Sequence, residues 1–127
     1  MESGDCVIAI VPFPAEFALI QASLSAEGIE VLPASCLLDA ILYQLTGRAS
    51  VILYDADAPE HWREALEQFL LLRPASRVVF LSRLADDHMW IDVLDQGGYD
   101  LLMKPLRAEE LRGTVRNALG RVGRAAA

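Results

Sequence analysis

Three polar side chains stand where three apolar runs stop. The run VILY (51–54) hands over to Asp55, VVFL (78–81) to Ser82, and LLM (101–103) to Lys104-Pro105. A carboxylate, a hydroxyl and an ammonium brought together suit a phosphoryl group. The carboxylate can attack phosphorus as a nucleophile. The hydroxyl and the ammonium can hydrogen-bond and neutralise the phosphoryl oxygens. Asp55 also has a plainer reading, as a turn residue or helix cap where a strand ends. What decides is whether the chain brings the three run ends to one edge.

The elements that would do so are legible. Five strand candidates recur at helix-sized intervals: 7–11 (VIAIV), 30–32 (EVL), 51–54, 78–81 and 101–103. The first, third and fourth are nearly all apolar, as strands covered on both faces must be. Helical patterns lie between them. Phe17, Ile20 and Leu24 share a face and stop before Gly28. Leu38, Ile41, Leu42 and Leu45 repeat at i, i+3, i+4 and i+7, with Ser35 as N-cap and Gly47 as stop. Trp62, Ala65, Leu66, Phe69 and Leu70 make a third stripe. Met89, Trp90, Val93 and Leu94 make a weaker one within 86–96, and Leu111, Val115, Ala118, Leu119 and Val122 a clean last one. We read all five stripes as core. Strands alternating with helices predict an α/β fold, a doubly wound parallel five-stranded (βα)5 sheet of flavodoxin-like type. Its strand order is 2-1-3-4-5, with the ligand crevice at the carboxyl ends of strands one and three. Asp55 ends strand three, so it falls at that crevice.

Composition narrows the function. A chain of 127 residues suits one domain, which we place at 1–122, with 123–127 as a short tail. That leaves no room for an output domain, so the chain is either a stand-alone unit or a piece of a longer regulator. The start has no positive n-region, and Pro12, Pro14 and Glu16 break the following apolar stretch. We therefore expect no signal peptide, no membrane association and a cytoplasmic location. Net charge is −7, and the acidic body argues against direct nucleic-acid binding. The last stretch, from 107 on, carries five Arg and two Glu. It reads as a solvated helix face suited to the helix dipole, or as a partner surface. Cys6 and Cys36 match no metal or CxxC spacing, fall at opposite ends of the sheet, and are expected as free thiols. His61 and His88 lie on predicted helices away from the strand ends. No Ser, Cys or His nucleophile has a recognisable base, so the chain is not read as an enzyme.

In this order the motifs resemble the receiver domain of bacterial two-component response regulators. YDADAP is similar to the acceptor pattern D-x-x-(M)-P, FLSR supplies a strand-four hydroxyl, and GGYDLLMKPL is similar to G-A-D-D-Y-x-x-K-P-F. AEGIEV before strand two has the family's look as well. The resemblance covers roughly residues 6–119. It implies Asp55 as phosphoacceptor, Ser82 as switch hydroxyl and Lys104 as the paired cation, with Pro105 following a cis peptide. It also implies that the backbone carbonyl of Asp57 faces a metal, its side chain pointing out of the pocket.

The departures are as informative. The family's Mg²⁺-binding acidic pair falls at Val11-Pro12, and neither side chain offers an oxygen to a hard cation. Asp55 alone would hold Mg²⁺ weakly at best. Glu16 reads as a solvated helix-start acid, with a stand-in ligand as the other reading. Arg83 replaces a small residue. It either folds over the pocket to pair with Asp55, filling the metal's charge role with Lys104, or points to solvent. Leu101 stands where the family has a rotating aromatic ring, and Tyr99 is two places off. The resulting expectation is an atypical receiver (a pseudo-receiver) without bound cofactor, acting through protein contacts. The alternative is a working phosphoacceptor receiver using Asp55 and weakly held Mg²⁺. Expected partners are an output domain, a histidine kinase or another regulator of a phosphorelay, or a second copy. The surface expected for them is helix four, strand five and helix five, with His88, Met89, Trp90, Arg112 and Arg116. Trp90 has a second reading, tucked in the core.

Overall fold

Short apolar runs that must hide both faces pair into one sheet. The computed structural model describes residues 5–47, 49–59 and 61–120. Val122 and the boundary between domain and tail lie outside these residues. The strands are β1 (Cys6–Ile10), β2 (Glu30–Ala34), β3 (Val51–Asp55), β4 (Arg77–Ser82) and β5 (Asp100–Met103). The helices are α1 (Pro14–Ser25), α2 (Leu37–Leu45), α3 (Trp62–Leu72), α4 (Asp87–Asp95) and α5 (Ala108–Leu119). All pairings are parallel and the order is β2-β1-β3-β4-β5. This is the flavodoxin-like fold expected from the sequence.

Side chains alternate along each strand, so the sheet feeds two cores. Ile8, Ile10, Ile52, Tyr54 and Phe80 face α2, α3 and α4, against Trp62, Leu66, Phe69 and Val93. Val7, Ala9, Leu53, Val79 and Leu81 face α1 and α5, against Ile20, Leu24, Leu111, Val115 and Ala118. Burying a side chain such as Phe69 or Phe80 fully contributes about 1.5–3 kcal/mol. The feed into β5 is tight. A Cβ on Gly98 would stand 2.5 Å from Val93 Cγ1, so glycine lets the chain turn close under α4. Cys6 and Cys36 are thiols, as expected.

Three elements differ from their sequence reading. β2 runs two residues further, through Pro33 to Ala34. It is an edge strand, where a proline's missing N–H removes no ladder bond on the open side. The stripe of α2 is rotated. Ala40 and Gln44 are buried, with Leu37, Ile41 and Tyr43 packed beside them, while Leu38, Leu42 and Leu45 are exposed. Gln44 can take a core position because its amide donates to Phe69 O at 2.8 Å and Ser76 Oγ at 2.9 Å. Cys36, not Ser35, is the N-cap, and the Ser35 hydroxyl is bound to Asp39 at 2.6 Å. In α4 only Val93 is fully buried; Trp90 and Leu94 are exposed.

Candidate functional site

The strand register sets the site. Asp55 of β3 pairs with Leu81 of β4, and Ser82 of β4 pairs with Met103 of β5. Lys104 N then donates to Ser82 O at 3.0 Å, which fixes the first residue after β5. Three adjacent strand ends therefore deliver Asp55, Ser82 and Lys104 to one spot, as the sequence led us to expect. The Lys104–Pro105 peptide is cis.

The spot is closed around the ammonium. Asp55 is fully buried; its Oδ2 accepts from Lys104 Nζ at 2.8 Å and its Oδ1 from Asp57 N at 2.9 Å. Lys104 Nζ also lies 2.9 Å from Glu16 Oε1 and 3.4 Å from Asp57 Oδ2, and sits 4.9 Å from the centre of the Phe13 ring. The lysine side chain is only 3% exposed. Three carboxylates and an aromatic face thus converge on one cation. Above it lies a small cleft of about 210 Å³, lined by Phe13, Glu16, Arg83 and Lys104.

Several readings need correction. Asp57 does not point out of the pocket. Its side chain is 6% exposed and accepts from Ser82 Oγ at 2.8 Å and from Arg83 N at 2.9 Å. A buried carboxylate needs such donors, and the turn after β4 supplies them. Glu16 is not simply solvated; the first turn of α1 aims it at Lys104. Arg83 does not pair with Asp55. Its Nε lies 3.4 Å from Asp57 Oδ2 and the side chain is 75% exposed, so it sits at the rim. Ser82 is engaged as well, donating to Asp57 and accepting from Leu84 N at 2.9 Å. Phe13 was missed. Its one signal was position, two residues past Val11 on the loop entering α1.

Val11 and Pro12 close the β1 side. β1 and β3 pair up to Ile10 and Tyr54, so Val11 comes level with Asp55. Val11 is buried, and neither residue brings an oxygen-bearing side chain to the spot. No cluster of three or more His, Cys, Asp or Glu placed to hold a metal occurs among the described residues.

The ionisation states follow from these contacts. For Asp57, burial is the largest influence and pushes the carboxyl up. The Arg83 N–H, the Ser82 hydroxyl and Lys104 outweigh it and hold Asp57 below the ordinary 3.8. For Lys104, burial pushes the ammonium down. Asp55 and Glu16 overcome this and raise it above the ordinary 10.5. A carboxyl depressed on folding contributes stability that is complete above 3.8 and is lost as pH falls through its folded value. A lysine raised on folding contributes stability that is complete below 10.5 and is lost as pH rises through its folded value. Urea unfolding across pH should therefore show a plateau between those limits, falling at both ends. In Asp57→Asn the acid limb should flatten; an unchanged acid limb would mean Asp57 is not its source.

The remaining surface is partly as expected. Trp90 is 45% exposed, with its ring N–H donating to Asp100 Oδ1 at 3.2 Å, so the core reading falls away. His88 is exposed beside it. Met89 packs partly against the α2–α4 core, and Met103, 57% exposed, is the methionine this face presents. Arg116 pairs with Glu27 at 2.9 Å, at the α1 side of α5. Arg112, one turn earlier, shares that flank. Glu110 instead lines the cleft with Trp90, Leu101 and Met103. The cleft on the face of α4, β5 and α5 is therefore lined by acidic and apolar side chains, with Arg116 turned to Glu27. Tyr99 is half-buried on the α1–α5 core, and Leu101 on the other.

No protein-family model and no curated protein sequence matches the chain. Solved structures do match, and they define its class: this is the fold of response-regulator receiver domains. A response regulator from Thermotoga maritima superposes with a TM-score of 0.84 at 19% identity, covering 93% of this chain and 99% of that one. A response regulator receiver domain protein from Clostridium thermocellum gives 0.81 at 23%, covering 94% and 97%. The signal receiver domain of a putative Luxo repressor protein from Vibrio parahaemolyticus gives 0.85 at 16%, covering 98% and 96%. At these identities the likeness is one of fold.

Proposed function

We propose that this chain is an atypical receiver domain, a signalling module that works through protein contacts and not through Mg²⁺-dependent aspartyl phosphorylation. One observation carries the reading. The Lys104 ammonium is held by Asp55, Glu16 and Asp57 at 2.8, 2.9 and 3.4 Å, where the resemblance calls for a metal-assisted phosphoryl site. A nucleophilic carboxylate must present a free oxygen to its donor. Both Asp55 oxygens are engaged, and the residue is fully buried. An added phosphoryl group would also face Glu16 and Asp57, two carboxylates against one ammonium.

The donor set does not fit Mg²⁺. That ion wants a near-octahedral shell of oxygens. Here the available carboxylates are turned onto Lys104, and Val11 and Pro12 add none. The chain is accordingly read as neither an enzyme nor a holder of a resident cofactor. Among the described residues no helix is long and apolar enough to cross a membrane. The partner surface we assign is the face of α4 and β5, where Trp90, Ile91 and Met103 are exposed among Asp86, Asp87, Asp100 and Glu110. Such a face suits a partner that brings a basic residue beside an apolar anchor, on an output domain, a histidine kinase or another regulator.

The test is a backbone NMR titration with Mg²⁺, then with beryllofluoride as phosphoryl mimic. We expect no shifts at Asp55, Ser82 or Lys104 at millimolar Mg²⁺. Shifts centred there and spreading to α5 would overturn the reading and make Asp55 a working acceptor.

A further inference from the structure

The sheet has two open edges, β2 and β5, and they are stopped in different ways. In a parallel strand the N–H and C=O groups of alternate residues point to opposite sides. Glu30 N donates to Asp5 O on the β1 side, so Val31 and Pro33 face outward from β2. Pro33 has no N–H, a stop that nothing can remove. Lys104 N donates to Ser82 O of β4, so Leu101 and Met103 face outward from β5. The Leu101 N–H is held by the carboxylate of its own neighbour, Asp100 Oδ1 at 2.8 Å, which also accepts from Trp90 Nε1 at 3.2 Å. No hydrogen bond covers the Met103 N–H among the described residues. The stop at β5 is therefore a charged side chain that can be drawn away.

We infer that the β5 edge is a strand-addition site: an extended partner segment pairs with Leu101 and Met103 and brings a lysine or arginine that draws Asp100 off the Leu101 N–H. This deepens the partner surface assigned above and rests on it. The side chains beside the edge select the same occupant. Leu101 and Met103 point to one face of the strand, where they line a cleft of about 230 Å³ with Trp90, Asp86, Asp87 and Glu110. Trp90 and Met103 are 45% and 57% exposed. A Lys or Arg side chain fits such a slot, its apolar stem along Trp90 and Met103 and its charged head at the carboxylates. An extended segment places every second side chain on that face, while its backbone supplies partners to the outward groups of β5. A second copy of the chain is a poor occupant, because its own β5 would bring the same carboxylates against these.

The probe is a peptide of about eight residues alternating Val and Lys, a strand's length, titrated into the intact chain to about 1 mM with amide shifts as the readout. Its fully N-methylated copy keeps the side chains but has no backbone donor, and a peptide alternating Val and Glu reverses the charge. The first should shift Leu101, Met103 and the Trp90 ring N–H. At tenfold over its Kd it should slow exchange of the Met103 amide by about tenfold. The other two peptides should do neither. Trp90→Ala, at an exposed position, should weaken binding by about fivefold or more, and its amide spectrum shows that it is folded. Binding at Trp90 with Met103 exchange unchanged, or equal binding by the N-methylated copy, would overturn strand addition and leave the α4–β5 face as a side-chain interface. Equal binding by the Val and Glu peptide, or no loss in Trp90→Ala, would overturn the cation slot and the inference with it. So would the absence of shifts in α4 and β5 up to about 1 mM. The Mg²⁺ and beryllofluoride titration judges the Lys104 site separately, so the two readings fail in different spectra.

Discussion

Lys104→Met lowers the free energy of unfolding by about 3–5 kcal/mol at neutral pH, the cost of leaving a buried ion cluster without its counter-charge. The argument is one of asymmetry. Asp55 is fully buried and Asp57 almost so, and both keep company with Glu16 only because the ammonium lies between them. Methionine keeps the length of the stem but removes the charge. Three carboxylates are then left converging on an apolar side chain. Removing one acid is milder. In Asp55→Asn, Lys104 keeps Glu16 at 2.9 Å and Asp57 at 3.4 Å, and the amide oxygen can still accept. Chemical denaturation of both variants checks the ordering. Lys104→Met combined with Asp55→Leu should recover part of the loss, because the most deeply buried charge goes with its partner. A loss below about 1 kcal/mol for Lys104→Met, as for an exposed pair, would mean that water or a shifted Glu16 already compensates.

Val11→Asp combined with Pro12→Asp should give the chain a metal dependence that the proposed function does not expect of the wild type. Val11 is buried and level with Asp55 across β1 and β3, so an aspartate there joins an already acidic spot. Without a divalent cation the variant should be less stable than wild type by about 2–4 kcal/mol, the scale of burying a poorly paired polar or charged group. Mg²⁺ at tenfold over its Kd should then return about 1.4 kcal/mol by mass action. Thermal unfolding with and without Mg²⁺ reads both effects. The wild-type melting temperature should not respond. A wild type that Mg²⁺ stabilises would show that its carboxylates can leave Lys104 for a metal, against the proposed function. A variant that gains nothing would show that Lys104 keeps the site even when the acidic pair is present.

The motif residues were legible because strand ends are. An apolar run that stops at a polar residue fixes which side chain stands at the sheet's carboxyl edge. Parallel order then brings Asp55, Ser82 and Lys104 together. Spacing could not say which way Asp57, Glu16 and Arg83 point. Those directions depend on a turn after β3 that returns Asp57 toward Ser82, and on the angle at which Pro14 starts α1. The α2 stripe failed for a related reason. Leu37, Ala40, Ile41 and Gln44 make a second face on the same helix, and periodicity alone cannot choose between two faces. Two hydrogen bonds from Gln44, to partners 25 and 32 residues away, accompany the choice.

What the sequence determined by itself was therefore the alternation of five strands with five helices and the polar residues at three strand ends, consequences of local pattern and chain order; the strand order followed from what such folds most often adopt, and the departure at Val11-Pro12 was read only against a family resemblance. The tertiary structure alone decided that Lys104 is enclosed by three carboxylates and the Phe13 ring, and that the leucines of α2 face outward. Both depend on side chains from distant segments competing for the same donors and the same core, and that competition is settled only when the elements pack.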